Sequence, residues 1–175
     1  MENEPSQKEP VRIQITLPTN AYFMSGVRDF TISIIRNMTN LPDQWAFRMQ
    51  AVVDEVCNNA IEHGSGPKNE IKVIFQSNPG DSLEIAVEDS GTGKNIMHAV
   101  DLQKLVAERS KPGYPFTEIR GRGLSKIVAA WTDELEFSDL PGGGIRTRIK
   151  KYLKTPAAAT APGMRPSDPT HVMLN

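Results

Sequence analysis

The stretch DEVCNNAIEHG, residues 54–64, crowds Asp54, Glu55, Asn58, Asn59, Glu62 and His63 among Val53, Val56, Ala60 and Ile61. On a helix Glu55 and Asn59 stand at i and i+4, so their side chains stack on one face. Asn58, three residues from Glu55, could share that face. A carboxylate beside a carboxamide suits a hydrated cation. Mg²⁺ prefers oxygen ligands and keeps its waters, so one amide oxygen plus substrate phosphates can suffice. The carboxylate is then free to take a proton from water or a hydroxyl. Taken alone, the segment could also be a solvated helix face ending in a histidine that suits the negative end of the helix dipole.

Two further segments break ordinary packing logic. In AVEDSGTGK, residues 86–94, Asp89 stands at the end of a strand with Gly91 and Gly93 behind it. Such glycines let a backbone approach a ligand closely, and the carboxylate can accept from an exocyclic amine. The same residues also make an ordinary turn. In IRGRGLSKIVAAW, residues 119–131, Gly121 and Gly123 precede a helix whose first N–H groups attract phosphate, with Arg122 and Lys126 adding charge. Neither the phosphate-binding loop spacing nor the dinucleotide-binding glycine spacing is present.

The elements that must position these groups are legible by period. Val11, Ile13, Ile15 and Leu17 alternate as in a half-buried strand ended by Pro18. From about Ala21 to Met38, Val27, Phe30, Ile34, Ile35 and Met38 fall at helical spacing. A second helix, with Asp43 as its expected cap, buries Met49, Val52, Val53, Val56 and Ala60. Ile71, Val73 and Phe75, then Leu83, Ile85 and Val87, read as a hairpin. A short helix is expected around Met97 to Glu108, and another through Leu124, Ile127, Val128 and Trp131. Leu135 with Phe137, then Ile145, Thr147 and Ile149, form the last two strands. The order predicts an α+β two-layer sandwich, with a mixed, mostly antiparallel sheet covered on one face by helices. Residues 1–10 and the Ala- and Pro-rich 154–175 read as disordered, leaving one domain over 11–153.

A chain of 175 residues with 23% charged and 38% hydrophobic residues has room for one sizeable core. Its net charge of −1 gives no global pull toward nucleic acid or membrane, and neither is expected as a partner. One cysteine, Cys57, excludes an internal disulfide framework and a multi-cysteine zinc site. MENEPSQKEP has no apolar signal region, and a cytoplasmic location is expected. The basic strand Arg146, Arg148, Lys150 and Lys151 could dock an acidic partner, or simply form a solvated face.

Together and in this order, E-x-x-x-N-A, a strand-end D-x-G-x-G and G-x-G-L at a helix start resemble the Bergerat ATP-binding fold. That fold is shared by gyrase, heat-shock protein 90, histidine kinases and the MutL mismatch-repair proteins. Within it, EVCNNAIEHG and GRGLSKIVAAWTDELEF are similar to the stand-alone anti-sigma-factor serine kinases, the switch-protein kinases of partner-switching systems. The resemblance covers about residues 11–152. It implies ATP and Mg²⁺ as cofactors, with Asn59 as the metal ligand and Glu55 as the base for an attacking serine hydroxyl. Asp89 would take the adenine amine, and Gly91 and Gly93 would let the chain wrap the base. Gly121, Arg122 and Gly123, with the amide of Leu124, would face the phosphates, and residues 95–120 would form a lid. It implies transfer of the γ-phosphoryl to a STAS-type anti-sigma-factor antagonist, sequestration of a sigma factor or another regulator, and a homodimer.

The sequence departs from the family at Thr92 and Lys94, where proline and an apolar residue are usual. It also reads Gly144-Ile145 where Gly-Thr is common, which removes a polar contact to the base. Three other readings compete. A module could hold ATP and act by contact alone, against which the retained Glu55 argues. A histidine-kinase catalytic domain would need a phosphoacceptor helix pair, to be supplied by another chain. A gyrase- or MutL-type ATPase would need a following transducer domain.

Overall fold

The computed structural model describes residues 9–94, 96–114 and 123–153. Most of the expected N-terminal lead-in and all of residues 154–175 lie outside them. The chain runs through β1 (Val11–Pro18), a short 3-10 turn (Ala21–Phe23), α1 (Met24–Met38) and α2 (Gln44–Asn59). A wide π-type turn (Ala60–Gly64) leads to β2 (Glu70–Asn78), β3 (Ser82–Glu88) and α3 (Ala99–Arg109). A second π-type turn (Leu124–Val128) continues into α4 (Ala129–Trp131), followed by β4 (Glu134–Asp139) and β5 (Ile145–Tyr152).

The five strands form one sheet in the order β1-β2-β3-β5-β4. Every pairing is antiparallel, so the sheet is simpler than the mixed one expected. Strict alternation sets its register. Ile13, Ile15 and Leu17 of β1 face Phe75, Val73 and Ile71 of β2, and Phe75 and Val73 face Ile85 and Val87 of β3. A slip of one residue would turn all of these toward water. Their common face packs on α1 through Val27, Ile34 and Ile35, and on α2 through Met49, Val52, Val53 and Val56. Phe30 meets the buried Phe75 edge to face at 5.3 Å between centroids. Truncating a large buried aromatic of this kind costs about 3–5 kcal/mol.

With its apolar stripe against the sheet, α2 presents Asp54, Glu55, Asn58 and Asn59 elsewhere, all half-buried rather than in open water. Arg28 of α1 grips Asp54 with two bonds, Nε to Oδ1 at 2.8 Å and the terminal nitrogen to Oδ2 at 3.0 Å, which fixes the helices beside Glu55. Cys57 lies on the buried stripe, and burial, with the charge of Asp54 adding to it, pushes its thiol up to about 12. It is a packing residue with little thiolate character.

The expected cap at Asp43 does not form. Asp43 is already helical (φ −53°, ψ −33°), so its carboxylate cannot fold back onto the helix amides, and it makes no cap bond. It accepts instead from Arg36, at 2.6 and 3.0 Å, tying the end of α1 to the start of α2.

The outer sheet face is ionic, and it consumes the basic strand. Arg146 pairs with Glu88, and Lys150 lies 3.5 Å from Glu84. Arg148 spreads its guanidinium over Glu84, Glu134 and Glu136, each at about 3 Å. Lys151 points the other way, onto Asp133 at 2.9 Å and over the Trp45 ring. These cations belong to intramolecular pairs, not to an open docking strip.

Candidate functional site

A cavity of about 300 Å³ opens between the helical layer and the sheet, at the small end of the range for ligand sites. Val87 and Ile145 lie in its sheet-side wall, and α2 contributes Glu55, Val56 and Asn59. The roof comes from α3, where Leu102, Leu105, Val106 and Arg109 repeat at i, i+3, i+4 and i+7 and all line the cavity. Ile96 and Met97 also line it, Ile96 while remaining largely exposed.

Asp89 sits at one end, just past β3. Its Oδ1 accepts from the N–H of Gly91 at 2.9 Å and from the N–H of Ile145 at 3.1 Å. Oδ2 accepts from no described residue, which leaves one oriented acceptor for a ligand's donor. Burial raises the carboxyl above its ordinary 3.8, against the opposing pull of the two N–H groups. The surroundings are shaped around this group. Gly91 (φ +63°) and Gly144 (φ +89°) adopt left-handed backbone and touch one another, and a side chain on either would run into the other's main chain or into Asp89. The wide turn after α2 delivers Gly64 onto the Asp89 carboxylate, where a Cβ would overlap it. π-type turns of this sort often mark functional sites.

At the other end, the Asn59 amide nitrogen donates to Glu55 Oε1 and to the Glu55 carbonyl, each at 2.8 Å. Both partners only accept, so the nitrogen must be the atom facing them. Asn59 Oδ1 is therefore the atom left for a cation at the cavity wall. Of the two adjacent amides, Asn59 lines the cavity and Asn58 does not. Gly123 closes on Glu55 so tightly that a Cβ would collide with the carboxylate. Leu124 and Ser125, opening the second π-type turn, complete this end.

Among the described residues no group of three His, Cys, Asp or Glu could hold a metal. A cation here would need ligand oxygens from a bound anion in addition to Asn59, which is how Mg²⁺ is held beside phosphates. An apolar slot, one directed carboxylate and a donor set of amide and carboxylate thus fit a nucleotide with Mg²⁺.

A profile of the histidine kinase-like ATPase domain matches residues 17–151. The chain belongs to that family. No match was found among curated proteins. Domains of this ATPase superfamily bind ATP, usually with Mg²⁺, and use it in kinase or ATPase chemistry or in regulation. The two-layer α+β architecture is theirs. Among the described residues no helix of this ATPase domain is long and apolar enough to cross a membrane.

Of the residues singled out in the sequence, Glu55, Asn59, Asp89, Gly91 and Leu124 come together around one cavity, with Gly123 packed behind Glu55. Gly93 does not line it. Its N–H donates to the Gly64 carbonyl at 3.3 Å, and its α-carbon lies against the His63 carbonyl. His63, at the end of the wide turn, does line the cavity. Gly121 and Arg122 lie outside the described residues. Thr92 has a clear task despite the family's preference for proline. Its hydroxyl accepts from the Gly66 N–H at 2.9 Å and bonds Asn69 and Ser90, locking the Asp89 loop to the turn after α2.

Several contributors escaped the sequence reading, Thr147 and Ser125 among them. Thr147 lines the cavity and supplies a hydroxyl two residues beyond Ile145, where the family's usual threonine is absent. The alternation of Ile145, Thr147 and Ile149 puts it on the face of Ile145 but does not mark it as a site residue. Ser125 was hidden because the helix start following Gly123 was read for its backbone N–H groups and for the charges of Arg122 and Lys126.

Proposed function

We propose that the protein is an ATP-dependent serine protein kinase that acts as an anti-sigma factor in a partner switch. It phosphorylates a STAS-type anti-sigma-factor antagonist and sequesters a sigma factor, or an equivalent regulator, when the antagonist is phosphorylated. The observation that carries this reading is the Glu55–Asn59 pair. A carboxylate is held by a side-chain amide whose oxygen remains available, at the wall of a cavity of about 300 Å³.

In the proposed cycle Asp89 accepts from the adenine amine, and Val87 and Ile145 sandwich the base with the α3 roof acting as a lid. Asn59 would hold Mg²⁺, which when bound neutralises charge on the phosphates. Its amide nitrogen keeps Glu55 aimed. A serine hydroxyl of the antagonist gives its proton to Glu55 as its oxygen bonds the γ-phosphorus. ADP leaves with the electron pair of the broken bridging P–O bond. Positioning and electrostatics supply most of the acceleration. A homodimer is part of the proposal, as the resemblance to switch-protein kinases implies.

Transfer of label from γ-labelled ATP, with Mg²⁺, to proteins in a lysate of the source organism tests the reading. A small protein carrying acid-stable label is expected, and none with Glu55→Ala. Absence of label, with ATP binding confirmed on the same preparation and the unphosphorylated partner present, would leave a module that holds ATP and sequesters its partner by contact alone.

A further inference from the structure

The roof helix α3 has no cap of its own. Its N-cap residue, His98, has extended backbone (φ −87°, ψ 153°) but makes no side-chain cap bond. The first helical N–H, that of Ala99, donates instead to Asp139 Oδ1 at 2.9 Å, forty residues away at the end of β4. A carboxylate at the positive end of a helix makes a charge-assisted bond of this kind favourable. His98 Nδ1 lies 3.7 Å from the same oxygen. Both side chains are more than half exposed, so this ion pair adds little.

Asp139 is also a rung of the sheet. It pairs across the ladder with Ile145. The Ile145 N–H donates to Asp89 Oδ1, and its carbonyl accepts from the Asp89 N–H, each at 3.1 Å. A single rung therefore joins the carboxylate at one end of the cavity to the start of the helix that roofs it. Leu102, Leu105 and Val106 can wall a ligand only while α3 stays docked on β4.

We propose that Asp139 is a positioning residue that tethers α3 to the β4–β5 hairpin and thereby sets how long a nucleotide is retained. This rests on the reading of the cavity as a nucleotide site. Loss of the tether lets the roof open without altering Asp89, so it acts on release more than on recognition.

The test measures release of a fluorescent ATP analogue from the full chain, with Mg²⁺, by displacement with excess ATP. Asp139→Ala should speed release about fivefold, the scale on which a lost helix cap acts. Asp139→Asn keeps an acceptor oxygen for Ala99 and should stay within about twofold of the parent. The double variant His98→Ser, Asp139→Ala restores a local cap but no tether, and its release should remain fast. Parental release in Asp139→Ala, or recovery of parental release in the double variant, would overturn the tether. Amide exchange without nucleotide gives an independent readout. Faster exchange at Ala99 to Leu102 in Asp139→Ala, with β5 unchanged, supports the tether, and unchanged exchange there overturns it. A parent protein that retains no nucleotide would overturn the reading of the cavity instead, and the exchange result would stand by itself.

Discussion

The two ends of the cavity are built from different materials. Asp89 is held by main chain, through the N–H groups of Gly91 and Ile145, with Gly64 and Gly144 filling the space around it. Glu55 is held by a side chain, the amide of Asn59. Main-chain donors have no side-chain torsions, and Ile145 moves only if β5 moves, so the acceptor at Asp89 is held by the fold. A side-chain amide keeps torsional freedom, so the carboxylate at Glu55 can be re-aimed. In the proposed cycle, recognition would therefore rest on the backbone and chemistry on the identity of two side chains.

The sharpest way to break this contrast is Glu55→Ala. It should lower phosphoryl transfer about 10²–10⁴-fold while nucleotide affinity, followed by the same fluorescent analogue, stays within a few-fold. A large affinity loss would mean that Glu55 shapes the pocket. Next comes Asn59→Ala, which removes the orienting bond and the available amide oxygen together. At saturating ATP, transfer should fall about a hundredfold, the scale of a misplaced catalytic group, and the response to Mg²⁺ should flatten. Asn58→Ala, outside the cavity wall, should do neither, and a reversed ranking would move the metal ligand by one residue. At the backbone-built end, Asp89→Asn should weaken ATP binding about 10–100-fold, the cost of losing a charged acceptor. Transfer at saturating ATP should change less.

The smallest expected effect concerns stability. Burial raises the Asp89 carboxyl above 3.8, so the folded chain holds that proton more readily than the unfolded chain. The protonated form is therefore favoured by folding, and the stability it gives is present below 3.8. It is lost as pH rises through the raised value, and above both the buried charge is a standing cost. Asp89→Asn removes that charge and keeps an acceptor for both N–H groups. It should melt on the order of 2 °C higher than the parent near neutral pH, with the gap closing on acidification. A lower melting point throughout would show that the two N–H bonds outweigh the cost of burying the charge.

Much of this was legible because period reports burial. The alternation in Ile71, Val73, Phe75 and in Leu83, Ile85, Val87 gave the central hairpin, and the stripe from Met49 to Val56 gave α2. Glu55 with Asn59 was legible because helical spacing alone brings them together. Other features depend on pairings distant in the chain. The N–H of Ile145 reaches Asp89 across 56 residues, and Asp139 reaches Ala99 across 40. No local pattern encodes either bond. Asp43 shows the reverse failure, since a good capping residue took up helical backbone itself and gave its carboxylate to Arg36. The π-type turns were also invisible. Each shifts the chain by a fraction of a helical turn, and apolar spacing alone does not register that.

One amide has a consequence for the protein's chemical ageing. The nitrogen of Asn59 sits 2.8 Å from Glu55 Oε1. Deamidation would replace that donor with a second carboxylate at hydrogen-bond distance from the first. Two such acids cannot both ionise, so they would share a proton. A pair that, in the proposed cycle, accepts a proton from a substrate would then already hold one, so aged molecules would bind nucleotide but transfer poorly.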